Sequence, residues 1–176
     1  SADGFILVSN KKNIEYTRIY PKNLILGIGC KKDTKAEDIL SAIENCLDKN
    51  NLDIKSVKKI ATVDVKEDET DKRKIKITVK DDTQLTYMTY EWDKYREIST
   101  NGSSTQNLEI ISRDEIKKIQ NQFEGSDFVE KTIGVRAVSE PVALLSSTGN
   151  GKFLVMKEKY NGITISIYEE EMDKYE

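Results

Sequence analysis

Leu24-Ile25-Leu26-Gly27-Ile28-Gly29-Cys30-Lys31-Lys32-Asp33-Thr34 is the stretch on which the fold turns. Its aliphatic start reads as a buried strand. Gly27 and Gly29 permit close backbone approach. Beyond it, Ala36, Ile39, Leu40, Ile43, Cys46 and Leu47 recur at helical spacing and form one apolar stripe. Thr34, with Glu37 three residues on, predicts an N-cap and capping box, and Asn50-Asn51 predicts the stop. A strand, a glycine turn and a helix start together suit an anion, because the first helical N–H groups lack partners. The motif is not specific by itself. It has no third glycine at dinucleotide spacing, and Gly-Cys-Lys-Lys is not a P-loop. An ordinary strand–helix turn reads the same way.

Composition narrows the class. A length of 176 residues suits one domain, or one domain with an appendage. Hydrophobic residues at 37% and charged residues at 34% fit a globular chain with a modest core. The net charge of −3 gives no global basic character, so nucleic acid is not an expected partner. An acidic ligand must be met by local lysine clusters. No apolar run reaches the roughly 18 residues of a membrane span. No secretory signal is visible, so neither a membrane nor export is expected. Cys30 and Cys46 make no disulfide framework and suit a reducing cytoplasm. Without histidine, a His-based triad and imidazole metal ligation are excluded, and two cysteines make a poor zinc site.

Upstream, residues 4–9 read as a strand, Asn10-Lys11-Lys12-Asn13 as a turn, and residues 14–20 as a strand pairing back. Pro21-Lys22-Asn23 breaks the pattern. Downstream, Ile60-Ala61-Thr62-Val63-Asp64-Val65 is the next strand. Residues 70–106 change texture. The strict alternation over 74–80, the turn at 81–83 and the partner run 85–92 predict a protruding, mobile hairpin. A helix over 88–98 is the competing reading. Residues 99–107 read as a polar loop and 108–111 as a short strand. Ser112 with Glu115 predicts a second capping box, for a helix to about Gln122. Ser126 caps a short helix ending at Gly134. Ser139-Glu140-Pro141 opens another through Leu145, with proline in the first turn. Residues 152–160 pair with 163–168 across Asn161-Gly162, the favoured type I′ dipeptide.

This register carries chemistry. Tyr160 faces Ile163, so Lys159 faces Thr164 and Lys157 faces Ser166. Two ammonium groups and two hydroxyls on one face suit carboxylates, although a solvated strand face reads the same. Cys30 sits by lysines and a helix start, where a thiolate is favoured, although packing also accounts for it. Cys46 lies on the apolar stripe and reads as core. Asp64 follows a buried-looking strand, and α/β folds place ligands at such ends. A capping aspartate is the plainer account.

Four of these segments, in order, resemble the C-terminal domain of the cobalt-precorrin-5A hydrolase family (CbiG/CobE) of cobalamin biosynthesis. The opening signature is Pro21-Lys22-Asn23 with Gly27 to Thr34. The second is Ala61-Thr62-Val63-Asp64-Val65-Lys66-Glu67-Asp68-Glu69. The third is Ile133-Gly134-Val135-Arg136-Ala137-Val138-Ser139-Glu140-Pro141-Val142-Ala143-Leu144-Leu145. The last is Lys157-Glu158-Lys159-Tyr160-Asn161-Gly162-Ile163-Thr164. The likeness spans about 20–69 and 107–168. It implies a three-layer α/β domain with a mixed sheet between helices, here carrying an inserted β-hairpin at 70–106. On this reading residues 1–19 are the lead-in from a preceding domain, and 20–176 are the C-terminal-like domain. The chain is then a fragment or a stand-alone relative.

The resemblance also implies a role in opening the δ-lactone of cobalt-precorrin-5A by water, with release of acetaldehyde. The expected partners are a cobalt-corrinoid intermediate and an N-terminal hydrolase domain. The chain needs no cofactor of its own, since cobalt arrives with the substrate. Gly27, Gly29, Cys30, Lys31, Lys32, Thr34, Lys66, Lys157, Lys159 and Thr164 are the expected substrate-binding group. Lysines would hold carboxylates by charge-assisted bonds. Asp64 or Glu140 would serve as general base. The competing functions are a non-catalytic module that binds or hands on a corrinoid, and an unrelated phosphate-binding domain.

Overall fold

The computed structural model describes residues 7–12, 18–31, 34–64, 74–75, 79–80, 84–85, 90–91, 97–98 and 106–172. Two short strands come first. β1 (Leu7–Val8) and β2 (Arg18–Ile19) pair in parallel, where a turn at 10–13 predicted an antiparallel return. Asn10 to Lys12 make their backbone contacts elsewhere. Lys11 bridges Leu52, the Lys12 N–H reaches the Asn51 carbonyl, and the Asp53 N–H reaches the Asn10 carbonyl.

β3 (Leu24–Cys30) is buried along almost its whole length, as its aliphatic run demands. α1 (Ala36–Lys49) follows and buries Ile39, Ala42, Ile43, Cys46 and Leu47 on one stripe. Its N-cap is Lys35, which makes no side-chain bond; the predicted Thr34 cap does not form. The Thr34 hydroxyl instead donates to the Lys31 carbonyl at 2.7 Å and closes the loop. A 3-10 turn at Ile54–Ser56 leads into β4 (Val57–Val63).

Within the region expected to be a hairpin, β5 (Lys74–Ile75) and β6 (Val79–Lys80) pair antiparallel with β8 (Tyr90–Glu91) and β7 (Gln84–Leu85) respectively. The chain of 99–105 and the competing helix core at 92–96 lie outside the described residues. β9 (Glu97–Ile98) then pairs antiparallel with β10 (Gln106–Ile111), so this part of the chain adds to the main sheet.

Three helices follow. α2 (Arg113–Ile119) is capped as predicted, the Ser112 Oγ accepting the Glu115 N–H at 3.3 Å. A 3-10 turn at Gln120–Gln122 extends it. α3 (Asp127–Ile133) ends on Gly134, whose φ of +79° is the left-handed cap that glycine serves. α4 (Ser139–Ser146) opens with Pro141 in its first turn. β11 (Gly151–Tyr160) and β12 (Ile163–Glu170) close the chain as a hairpin, with Asn161 and Gly162 both at positive φ.

The sheet runs β11-β12-β3-β4-β10-β9, five long strands with β9 as a short addition. β3, β4 and β10 are parallel, and β12, β11 and β9 are antiparallel to their neighbours. α1 covers one face, with Leu24, Leu26, Ile28, Ile60, Ile163, Ile165 and Ile167 beneath it. α4 covers the other, with Ala61, Val63, Ile111, Ile116, Val135 and Val142 in its core. This is the three-layer α/β architecture expected, and the sheet is open.

Candidate functional site

The three parallel strands end along one edge. Ile28 pairs with Thr62 and Ile111 with Val63, so Cys30, Asp64 and Ser112 emerge side by side. Ile163 pairs with Cys30, which brings the hairpin turn to the same edge. α3 and the chain after it stand opposite. Between them lies a cavity of about 820 Å³, within the range of small-molecule sites.

Its electrostatics contrast with the chain as a whole. Lys31, Arg113, Lys131, Arg136, Lys157 and Lys159 line it, and Glu130 is the one acidic residue among the described lining residues. The chain carries 31 acidic against 28 basic residues, so the excess of cations is local. The Lys31 stem lies across Gly162, with carbons 3.2 and 3.3 Å from where a Cβ there would stand. Lys157 Nζ donates to the Glu124 carbonyl at 3.4 Å. Lys159 is exposed and pairs across the hairpin with Thr164. Arg136 is held by Glu130 at 2.7 Å and Asp127 at 3.0 Å, hydrogen bonds that keep it charged. Apolar groups line it too: Phe128 is 69% exposed on α3, and Val129, Ile133 and Val138 join it.

Of the sequence-predicted group, Gly29, Cys30, Lys31, Lys157, Lys159 and Thr164 line this cavity together. Gly27 lies buried under α4. Thr34 serves the loop, as above. Lys32 and Lys66 lie outside the described residues. Ser166 is not part of an open patch. It is fully buried, with its hydroxyl bonded to Ser139 Oγ at 2.9 Å and to the Met156 carbonyl. α4 covers that part of the strand face, which alternation cannot show.

The two candidate bases are placed differently. Asp64 is half-exposed, and its Oδ1 accepts the Arg113 backbone N–H at 3.0 Å and Nε–H at 3.1 Å. Glu140 is 3% exposed in the first turn of α4, and its Oε2 has no hydrogen-bond partner. Burial raises its pKa; Lys157 acts against that and Glu124 reinforces it. Neither carboxylate lines the cavity. Arg113, Arg136 and the α3 wall were missed in the sequence. Arg113 was legible only as the residue after a cap, and Arg136 only as part of a motif.

The class of protein is thus an open α/β domain with a cation-lined cavity at the carboxyl ends of its parallel strands. The profile of the family described as "Cobalamin synthesis G C-terminus" matches residues 24–106 and 91–168. The chain belongs to this family and is a cobalamin-biosynthesis domain. It is 31% identical over 147 residues to the cobalt-precorrin-5A hydrolase of Priestia megaterium, covering 84% of this chain and 32% of that one. It is 25% identical over 170 residues to the Salmonella typhimurium cobalt-precorrin-5A hydrolase, covering 94% and 41%. The chain thus spans about a third to two fifths of the length of these relatives. In fold it is similar to CobE, a protein from the cobalamin (vitamin B12) biosynthetic pathway. The TM-score is 0.59 at 16% identity, covering 88% of this chain and 94% of that one. The cobalamin biosynthesis protein chiG from Agrobacterium tumefaciens str. C58 gives a TM-score of 0.50 at 15% identity, covering 85% and 99%. No helix among the described residues is long and apolar enough to cross a membrane.

Proposed function

We propose that this chain is the C-terminal domain of a cobalt-precorrin-5A hydrolase, and that its share of the work is to hold the substrate's carboxylates. The reaction is opening of the δ-lactone by water with release of acetaldehyde. The observation that carries the reading is the cavity's charge: six basic side chains and one acidic among its described lining, in an acidic chain. A cobalt corrinoid rimmed with carboxylates matches that lining, and the exposed Phe128 offers an apolar contact for a macrocycle. Cobalt comes as part of the substrate.

The placement of the carboxylates favours a division of labour. Asp64 is engaged by Arg113, and Glu140 is walled off behind the α4 start. This supports a second reading, in which the domain binds the corrinoid while a preceding domain completes the catalytic set. Acetaldehyde and lactone opening, followed on cobalt-precorrin-5A with this chain alone and with any preceding domain attached, test both readings. Turnover only with the attached domain, and corrinoid binding without it, is the expected result. No binding of the corrinoid to either form would sink the proposal.

A further inference from the structure

We propose that Arg113, oriented by Asp64, is a carboxylate-binding residue of the cavity, and that Asp64 is a positioning residue rather than the general base. This rests on the reading above only for the identity of the ligand, a polycarboxylate corrin.

The guanidinium is fixed from two sides. Asp64 Oδ1 takes both its backbone N–H and Nε–H, at 3.0 and 3.1 Å. Nη1 donates to the Ile133 carbonyl at 3.4 Å, which ties the residue to the end of α3. Nη2 has no acceptor among the described residues. The side chain is 17% exposed and lines the cavity. A planar guanidinium held this way presents its remaining donors in a set direction, so little rotamer entropy is lost when a carboxylate arrives. The lysines of the rim carry a compact ammonium charge and lack a planar fork. Arg136 already has two carboxylates on its Nη1. Arg113 is therefore the pre-oriented donor of the set, and it discriminates by geometry. The charge of Asp64 balances that of Arg113, so the contribution is a directed hydrogen bond and depends little on salt, unlike that of the rim lysines.

The test is an equilibrium titration of the intact protein with a cobalt corrin bearing unesterified carboxylates (cobyrinic acid) and with its fully esterified form. Thermal unfolding is followed for every variant. Arg113→Gln, and Asp64→Ala, which removes the acceptor that orients the guanidinium, should each weaken binding of the acid about tenfold, equivalent to about 1.4 kcal/mol, and leave the ester unchanged. The double variant should lose no more than either single one. Arg113→Lys keeps the charge without the fork and should also bind weakly, so the idea stays testable if Arg113→Gln does not fold. The losses should persist at raised salt. Unchanged affinity for the acid in Arg113→Gln or Arg113→Lys overturns the proposal. So does an Asp64→Asn variant that binds normally yet has no turnover, which would make Asp64 the base. If neither corrin binds the unsubstituted protein, the corrinoid reading has failed. Benzenehexacarboxylate then decides the site: loss of its binding in Arg113→Gln upholds a carboxylate site, and equal binding removes it.

Discussion

The Ser139 carbonyl oxygen lies 1.9 Å from the place a side-chain carbon on Gly27 would occupy. Ala143 Cβ is 2.9 Å from the same point. The start of α4 therefore rests directly on the β3 backbone, and this contact sets the distance between helix and sheet. Gly27→Ala must push backbone against backbone. Its cost should reach or exceed the upper part of the range for overpacking, about 3 kcal/mol, read as a lowered midpoint in urea unfolding.

Glu140 predicts an acid-side gain in stability. Burial raises its folded pKa above the ordinary 4.5. The folded state therefore holds a proton that the unfolded state has released once the pH passes 4.5. Stability is greatest below that value and declines as the pH rises toward the folded pKa, beyond which this group adds no further slope. Glu140→Gln keeps the shape and removes the proton linkage. Denaturant midpoints measured across this window should fall with pH in the unsubstituted protein and run flatter in the variant; parallel profiles would contradict the assignment.

The lysines of the Gly27–Thr34 sequence stretch and of the last hairpin are expected to act as screened charges. Lys31→Ala/Lys32→Ala and Lys157→Ala/Lys159→Ala should each weaken binding of a carboxylated corrinoid by roughly tenfold at low salt, since exposed pairs contribute about 0–1 kcal/mol each. Raising the salt should shrink both differences. Two double variants that titrate like the unsubstituted protein at low salt would return these lysines to the solvated surface.

The thiols should separate by reactivity. Cys46 is fully buried on the sheet-facing stripe of α1, and burial above all pushes its pKa up to about 11. In a Cys30→Ser variant at pH near 8, a disulfide reagent should report almost no thiol until denaturant is added. Prompt labelling of the folded variant would show that the α1 layer opens easily.

Local signals were legible in the sequence. The β3–α1 unit, the Ser112 cap, the Gly134 stop and the Asn161-Gly162 turn each depend on a few adjacent residues, and each formed. Thr34 failed as a cap because its hydroxyl found the Lys31 carbonyl first. The parallel pairing of β1 with β2 was not legible, and the residues after β1 contact the chain near Asn51, some forty residues away. Six of the expected substrate-binding residues do converge on the cavity, because strand ends and the turn-proximal pairs Lys159–Thr164 and Tyr160–Ile163 can be read from spacing, whereas the expected Lys157–Ser166 pair falls where the register shifts. Arg113 and Arg136 were not singled out, since what places them is the docking of α2 and α3. Ser166 was misread for the same reason: period two assigns a face but does not say what covers it.

β11 departs from regular pairing twice. Its partners on β12 shift register between Phe153 and Val155 and again between Val155 and Glu158. Among the described strands it is also the last of the sheet. A regular strand approaching from outside would find donors and acceptors out of step, beside Lys152, Lys157 and Lys159 on the same strand. Interrupted, charged borders of this kind are poor templates for edge-to-edge growth. The irregular strand that carries two cavity lysines is thus also a poor template for pairing with another chain, at what is the longest edge strand among the described residues.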